Sequence, residues 1–170
     1  VKTAYYIAPQ HWHWGKKSEG IKVASIVDHI LAIFKQEAEF YKACGANVTY
    51  VGHPIIDRIR PFRDNTQKKS ALAIFPGSRL QEIERLLPIL IKASAILEKE
   101  LHLNTIISIA SPQYADMIKS LVKRYATKPV SYHEGSSLEL ISLSCLSLVS
   151  SGTVSLEHAL MGVPHVVTYK

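Results

Sequence analysis

Cysteine is nearly absent. Cys44 and Cys145 are the only two, and no CxxC pair joins them. That excludes a zinc ribbon and a disulfide framework, and makes a reducing compartment the simplest reading. Both sit among apolar neighbours, the usual setting of buried, unreactive thiols. No apolar stretch approaches the ~18 residues that a membrane-spanning helix requires. Nucleotide and nucleophile signatures are missing as well: there is no Walker-type GxxxxGK run, no GxGxxG and no GxSxG. The chain opens on Val1-Lys2-Thr3-Ala4-Tyr5-Tyr6, without an initiating Met or a signal segment, in what reads as mid-strand. The expectation is a chain cut at both ends.

What is present is ordinary globular material. Of 170 residues, 47% are hydrophobic and 20% charged, which argues against a disordered tail. Lys and Arg number 20 against 14 Asp and Glu, a net charge of +6 that favours acidic partners. Nucleic acid, anionic lipid and phosphorylated small molecules all qualify by charge. Nucleic acid is not expected, because the aromatics do not interleave with a basic stripe.

Short β-rich runs alternate with helical stretches. Strands are expected at 3–8, 29–34, 47–51, 71–75, 104–109, 129–132, 145–149 and 164–168. Helices are expected near 21–27, 36–43, 79–99, 113–126, 137–143 and 154–161. The clearest is 79–99, where Ile83, Leu86, Leu87, Leu90, Ile91, Ser94 and Leu97 recur at three- and four-residue spacing. The alternation predicts an α/β fold of parallel sheets with helices on both faces. Pro54, Pro61 and a cluster of basic residues break the rhythm, so a linker is placed at 55–68 between a segment 1–54 and a segment 69–170.

Two turns carry the chemistry. Phe75-Pro76-Gly77-Ser78-Arg79 leads from a strand into a long helix. Ser78 as N-cap with Gln81 as its capping-box partner is the structural reading. It leaves Arg79 unexplained, since a cation in the first helical turn opposes the helix dipole by ~0.3–1 kcal/mol. Backbone N–H groups, a glycine permitting close approach and a guanidinium make an anion site. Pairing of Arg79 or Arg85 with Glu82 or Glu84 stands beside that reading. Ser150-Ser151-Gly152-Thr153 repeats the strand-turn-helix arrangement, the phosphate geometry of doubly wound sheets. Glu157 lies one turn deeper, where a carboxylate suits paired hydroxyls such as those of ribose. A favourable first-turn acid is its plainer reading.

His11-Trp12-His13-Trp14 follows Pro9-Gln10. Strand-like alternation puts both His on one face, but no carboxylate or Cys joins them at ligand spacing, so no metal site is assigned. The tryptophans, next to Lys16 and Lys17, suit an interdomain or lipid-facing surface. His53, in Val51-Gly52-His53-Pro54, is a hinge, site or plain turn histidine.

These segments together resemble the lipid-A-disaccharide synthase family. Tyr5-Tyr6-Ile7-Ala8-Pro9-Gln10 with Trp12 and Trp14 resembles its YYISPQ-W-W segment, and Val51-Gly52-His53-Pro54 with Asp57 its VGHP stretch. Pro76 to Pro88 is similar to its PGSR..EIER.LP block. Ser151-Gly152-Thr153 through Leu156-Glu157 and Gly162-Val163-Pro164 to Tyr169-Lys170 is similar to its SGT..LE.AL.GVP....YK block. His11 and His13 depart from the family pattern.

The resemblance implies a twin-Rossmann, GT-B-like glycosyltransferase, inverting and metal-independent, with no cofactor. It implies UDP-2,3-diacylglucosamine as donor and the lipid 2,3-diacylglucosamine 1-phosphate as acceptor. The place implied is the cytoplasmic side of the inner membrane, peripheral on its anionic surface. Segment 1–54 becomes the end of the acceptor-side domain and 69–170 most of the donor-nucleotide domain. Gly77, Ser78, Arg79, Ser151, Gly152 and Thr153 then hold the diphosphate, and Glu157 the ribose. Gln10, Trp12, Trp14 and His53 become interdomain or acceptor-side residues. The general base is expected in a preceding segment, so this polypeptide alone is expected not to turn over. Other GT-B-fold UDP-sugar enzymes, such as a UDP-GlcNAc epimerase or an undecaprenyl-linked transferase, are the alternatives, together with a non-catalytic nucleotide-binding fragment. The Pro9-Gln10-x-Trp12-x-Trp14 block speaks against the two enzymes.

Overall fold

Runs of Ile, Val, Leu and aromatics too short for a helix, each followed by an amphipathic stretch, leave the chain one economical solution: parallel strands with helices packed over them. The computed structural model describes residues 1–63 and 70–169, and its contacts divide into two units, Val1–Arg58 and Ile59–Lys170.

In the first unit β1 (Ala4–Tyr6), β2 (His29–Ala32) and β3 (Val48–Tyr50) form a parallel sheet in that order. Between them run α1 (His11–Trp14), α2 (Lys17–Ile26) and α3 (Lys35–Ala43). The small core gathers Ala8, Val23, Ile30 and Tyr41. Tyr41 is fully buried, and its hydroxyl donates to the Pro9 carbonyl at 2.7 Å, tying α3 to the turn after β1. Burial, with Glu37 nearby, lifts that phenol to about 12. Glu37, itself buried, starts α3 by accepting from the N–H groups of Ile33 at 2.7 Å and Phe34 at 3.2 Å.

One expectation is corrected here, and a second gains local structure. His11-Trp12-His13-Trp14 is a helical turn, closed by Gly15 N–H donating to the His11 carbonyl at 3.0 Å. Helical rotation of about 100° per residue turns residues two apart to opposite sides, so His11 and His13 do not share a face. His11 faces Glu19 at 3.2 Å, whereas His13 lies between the two tryptophans, tilted against Trp12 and edge-on to Trp14. The expected linker also begins with a helix, α4 (Ile55–Arg63), which runs through Pro61. Ile55 and Ile59 are buried at helical spacing, and this outweighs the bond that the proline removes. The rest of the expected linker, 64–68, lies outside the described residues.

The second unit holds β4 (Ala71–Phe75), α5 (Leu80–Leu101), β5 (Asn104–Ser108), a 3-10 turn (Pro112–Tyr114), α6 (Ala115–Tyr125) and β6 (Ser131–His133). It continues through α7 (Ser137–Leu143), β7 (Ser144–Ser150), α8 (Thr153–Leu160) and β8 (His165–Thr168). The five strands are parallel, ordered β6-β5-β4-β7-β8. Every residue of β4 is buried, as a central strand covered on both faces requires. Leu72 and Ile74 pack with Ile83, Leu87, Leu90 and Ile91 of α5 and Ile118 of α6. Strand alternation turns Ala71, Ala73 and Phe75 to the opposite face, where Phe75 meets His158 of α8 edge to face at 4.9 Å.

His158 is fully buried. Its Nδ1–H donates to the Val154 carbonyl at 2.7 Å, while Nε2 is buried without a partner among the described residues. Burial, against the help of the Val154 bond, pushes the imidazole down to about 4 from 6.5. Between those two values the unfolded chain holds the extra proton. Stability present above pH 6.5 is therefore lost as pH falls toward 4, by on the order of 3 kcal/mol. His158→Leu is expected to lose this component of the slope, read as the difference between the two proteins' urea midpoints at pH 7.5, 6.0 and 4.5. Parallel midpoint shifts in both proteins refute the assignment.

Candidate functional site

The strand order fixes where a ligand belongs. From β4 the chain builds β5 and β6 on one side, then returns to build β7 and β8 on the other. The crevice beyond the carboxyl ends of β4 and β7 is thus a topological switch point, where connecting loops diverge and leave room. Phe75 is paired with Val149, so the two strands end level. Residues 76–79 and 150–152 leave the sheet side by side. Ser150 Oγ stands 3.3 Å from where a β-carbon on Gly77 would be.

The first turn differs from its sequence reading by one residue. Arg79, in extended geometry, is the N-cap of α5, and no side chain caps it there. Ser78 is one position too early, so the Ser78–Gln81 capping box does not form. Glu82 takes its place, its Oε2 accepting from the Ser78 N–H at 3.3 Å and its Oε1 pairing with Arg79 at 3.1 Å. Arg79 is well exposed, its side chain 82% accessible. Gly77 has φ +113°, and a β-carbon on it would stand 2.5 Å from Glu82 Oε2. Glycine is required here by both conformation and space.

The second turn is held to the sheet by its neighbours. Ser151 N–H donates to the Thr168 carbonyl at 3.0 Å, and Thr168 Oγ1 donates to the Val149 carbonyl at 3.0 Å. Gly152, at φ 157° and ψ −163°, is the N-cap of α8, a conformation close to glycine-only. Ser155 N–H donates to its carbonyl at 3.1 Å, closing the first turn. The N–H groups of 152–154 precede that closure, as helix geometry requires.

A cavity of about 680 Å³ opens between these turns, lined by Arg79, Glu82, Arg85, Ser150, Ser151 and Tyr169 among others. Of the residues expected at the nucleotide, Arg79 and Ser151 line it directly and Gly77 sits against Ser150. Ser78 and Thr153 are exposed at the two helix starts. Glu157 lies beneath, buried, its Oε2 accepting from Ser137 Oγ at 2.7 Å. Sequence reasoning did not place Arg85, Thr168 or Tyr169 at the site. Arg85 was readable from its helical spacing to Gln81 and Glu82, whereas Thr168 and Tyr169 arrive only through the pairing of β8 with β7.

The first unit has a cavity of its own, about 630 Å³, beyond the ends of β1–β3 and lined by Tyr6, Leu31, Tyr50, Val51, His53 and Asp57 among others. His53 Nδ1 accepts from the Ile55 N–H at 3.1 Å and so starts α4, which fixes the proton of the neutral ring on Nε2. Trp12, Phe34 and His53 form an aromatic row, with centroids 5.6 Å and 5.4 Å apart. Gln10 and Trp14 are exposed, and Trp12 is half-buried.

The family model described as lipid-A-disaccharide synthetase matches residues 1–170. Lipid-A-disaccharide synthase of Gloeothece citriformis is 35% identical over the whole chain, and that of Prochlorococcus marinus 37%. The chain covers 47% of each, so it spans about half the length of the curated relatives it matches. Among solved structures, UDP-GlcNAc 2-epimerase from Methanocaldococcus jannaschii shares the fold, with TM-score 0.62 at 16% identity over 98% of this chain and 54% of that one.

Two substitutions separate the observed turn from the one the sequence suggested. Gly77→Ala is expected to cost about 1–3 kcal/mol, because the new β-carbon meets Glu82 at a positive φ. Ser78→Ala is expected to change stability by less than about 0.5 kcal/mol, since Ser78 is not the N-cap. A true serine cap would lose roughly 0.5–2 kcal/mol. Urea denaturation of both variants checks the pair, and a costly Ser78→Ala contradicts the structure.

Proposed function

The chain belongs to the lipid-A-disaccharide synthetase family, and from that premise we propose that its second unit binds the UDP-sugar donor of a glycosyl transfer. The observation that supports this reading is the level ending of β4 and β7 at a switch point, with one cavity between their turns. The donor is UDP-2,3-diacylglucosamine, and the acceptor is 2,3-diacylglucosamine 1-phosphate on an anionic membrane surface. The products are the lipid A disaccharide 1-phosphate and UDP. The net charge of +6 supports both anionic partners. Among the described residues no helix is long and apolar enough to cross a membrane.

The chemistry follows from charge. As the bond from the sugar to the diphosphate breaks, negative charge grows on the departing oxygen. Fixed donors already aimed at that oxygen stabilise it without reorganisation, by about 3–4 kcal/mol for a key group. Arg79 and the N–H groups from Gly77 onward supply one such set, and Ser151, Gly152 and Thr153 at the α8 start supply the other. No cofactor is assigned. Glu157 takes the ribose hydroxyls by sharing or exchanging the carboxylate oxygen now engaged by Ser137. In the first unit, Gln10, Trp12, Trp14 and His53 form the acceptor-side surface.

Calorimetric titration with UDP tests this. Binding is expected in the intact chain, with affinity falling tenfold or more in Arg79→Ala. Loss of both hydroxyl acceptors in Glu157→Ala is expected to cost as much, and Glu157→Gln less. A folded chain, by circular dichroism, that takes up no UDP refutes the reading.

A further inference from the structure

Two of the groups suited to an anion at the α5 turn, the Ser78 N–H and the Arg79 guanidinium, already hold one. The carboxylate of Glu82 lies over Gly77, accepts from the Ser78 N–H and pairs with Arg79. We propose that Glu82 is a resident substitute for the ligand's phosphate, and that a diphosphate binds by exchanging with it. This rests on the donor reading given above, and it adds to that reading an internal competitor.

Comparison with α3 shows why this carboxylate is exchangeable. Glu37 performs the same reach-back at the start of α3, but it is 1% exposed and accepts from two N–H groups, the nearer at 2.7 Å. It is a fixed part of the fold. Glu82 accepts from one N–H at a long 3.3 Å, and its side chain is 30% accessible and lines the cavity. Its partner Arg79 is 82% accessible, and exposed pairs of this kind hold weakly because water and salt compete for both charges. A diphosphate offers more charge and more acceptor oxygens to the same donors, so it wins the exchange. The displaced carboxylate has a destination. Arg85 lies three residues on along the same helix, at the spacing that lets side chains meet, and lines the same cavity. A free carboxylate left beside the phosphates would oppose binding. Moved to Arg85, it is neutralised.

Glu82→Gln separates the competitor from the cap, because a glutamine oxygen still accepts from Ser78 N–H but no longer competes as an anion. Titrations of the intact chain and of Glu82→Gln with UDP, and separately with inorganic pyrophosphate, are expected to give binding tighter in the variant by on the order of tenfold. In the unaltered chain the Glu82 side-chain carboxyl carbon, followed by NMR, is expected to shift as pyrophosphate saturates the site. Equal or weaker binding by a folded Glu82→Gln overturns the exchange, as does an unmoved carboxyl signal at saturation. If pyrophosphate shows the tighter binding and UDP binds neither protein, the exchange stands and the nucleotide reading falls. If UDP binds both proteins equally, the nucleotide reading stands and the exchange falls. If neither anion binds either protein, both fall.

Discussion

The parallel pairing of β4 with β7 is the constraint on which the second unit's chemistry depends. Strand register at Phe75 and Val149 decides that two turns far apart in sequence end level and adjacent. A shift of one residue would also turn every side chain of the incoming strand to the other face. That slip is resisted because β4 is buried throughout: Leu72 and Ile74 belong to the α5–α6 core, and Phe75 is packed on His158. Core packing therefore fixes the spacing of the two turns, although none of those residues lines the cavity between them. The site inherits its precision from the sheet.

Helix starts in this chain share a device that serves two ends. A glutamate three residues into α2, α3 and α5 reaches back to backbone N–H groups that the helix leaves unpaired: Glu19, Glu37 and Glu82. Where the surroundings are apolar, as at Glu37, the carboxylate is locked and the device is structural. Where it opens onto a cavity beside two arginines, as at Glu82, the carboxylate is accessible and the same geometry is the one we propose an outside anion takes over. Burial, rather than motif, separates the two uses. Conversely, a sequence that announces an anion site also announces the side chain best placed to occupy it.

Much of the fold was legible because its signals are local. Among the described residues all eight strands lie where the β-rich runs put them, and the apolar stripe of α5, from Ile83 to Ile91, is buried as its spacing requires. What was not legible depends on partners distant in sequence or on competition between local rules. Ser78 is the better N-cap residue by type, yet Arg79 is the cap, because Glu82 satisfies the turn from within the helix and draws the start one residue later. Pro61 reads as a breaker, yet α4 runs through it, since Ile55 and Ile59 are buried and His53 starts the helix. Trp12 and Trp14 read as alternating, yet Pro9 leads into a helical turn. Tyr169 reaches the cavity only through the placement of β8, and nothing within ten residues of it says so.

Fold and family contribute differently to the functional argument. A UDP-GlcNAc 2-epimerase shares the architecture, so the architecture by itself does not choose between moving a sugar and inverting one of its centres. The second unit carries that shared architecture, with a cavity between the turns that follow β4 and β7. In the first unit, the turn after β1 carries a strained residue held in place by its neighbours. Ile7, at the end of β1, has φ +59°, a left-handed conformation that a β-branched side chain adopts at a cost. The strain persists because the turn that follows is anchored: Ala8 is in the core, and the fully buried Tyr41 bonds the Pro9 carbonyl. Such strain is retained where surrounding structure overrides it, and here it sets the direction in which Gln10 and Trp12 leave the sheet. The turn from Pro9 to Trp12 is therefore positioned by the backbone itself, while the turns after β4 and β7 are positioned by a sheet register.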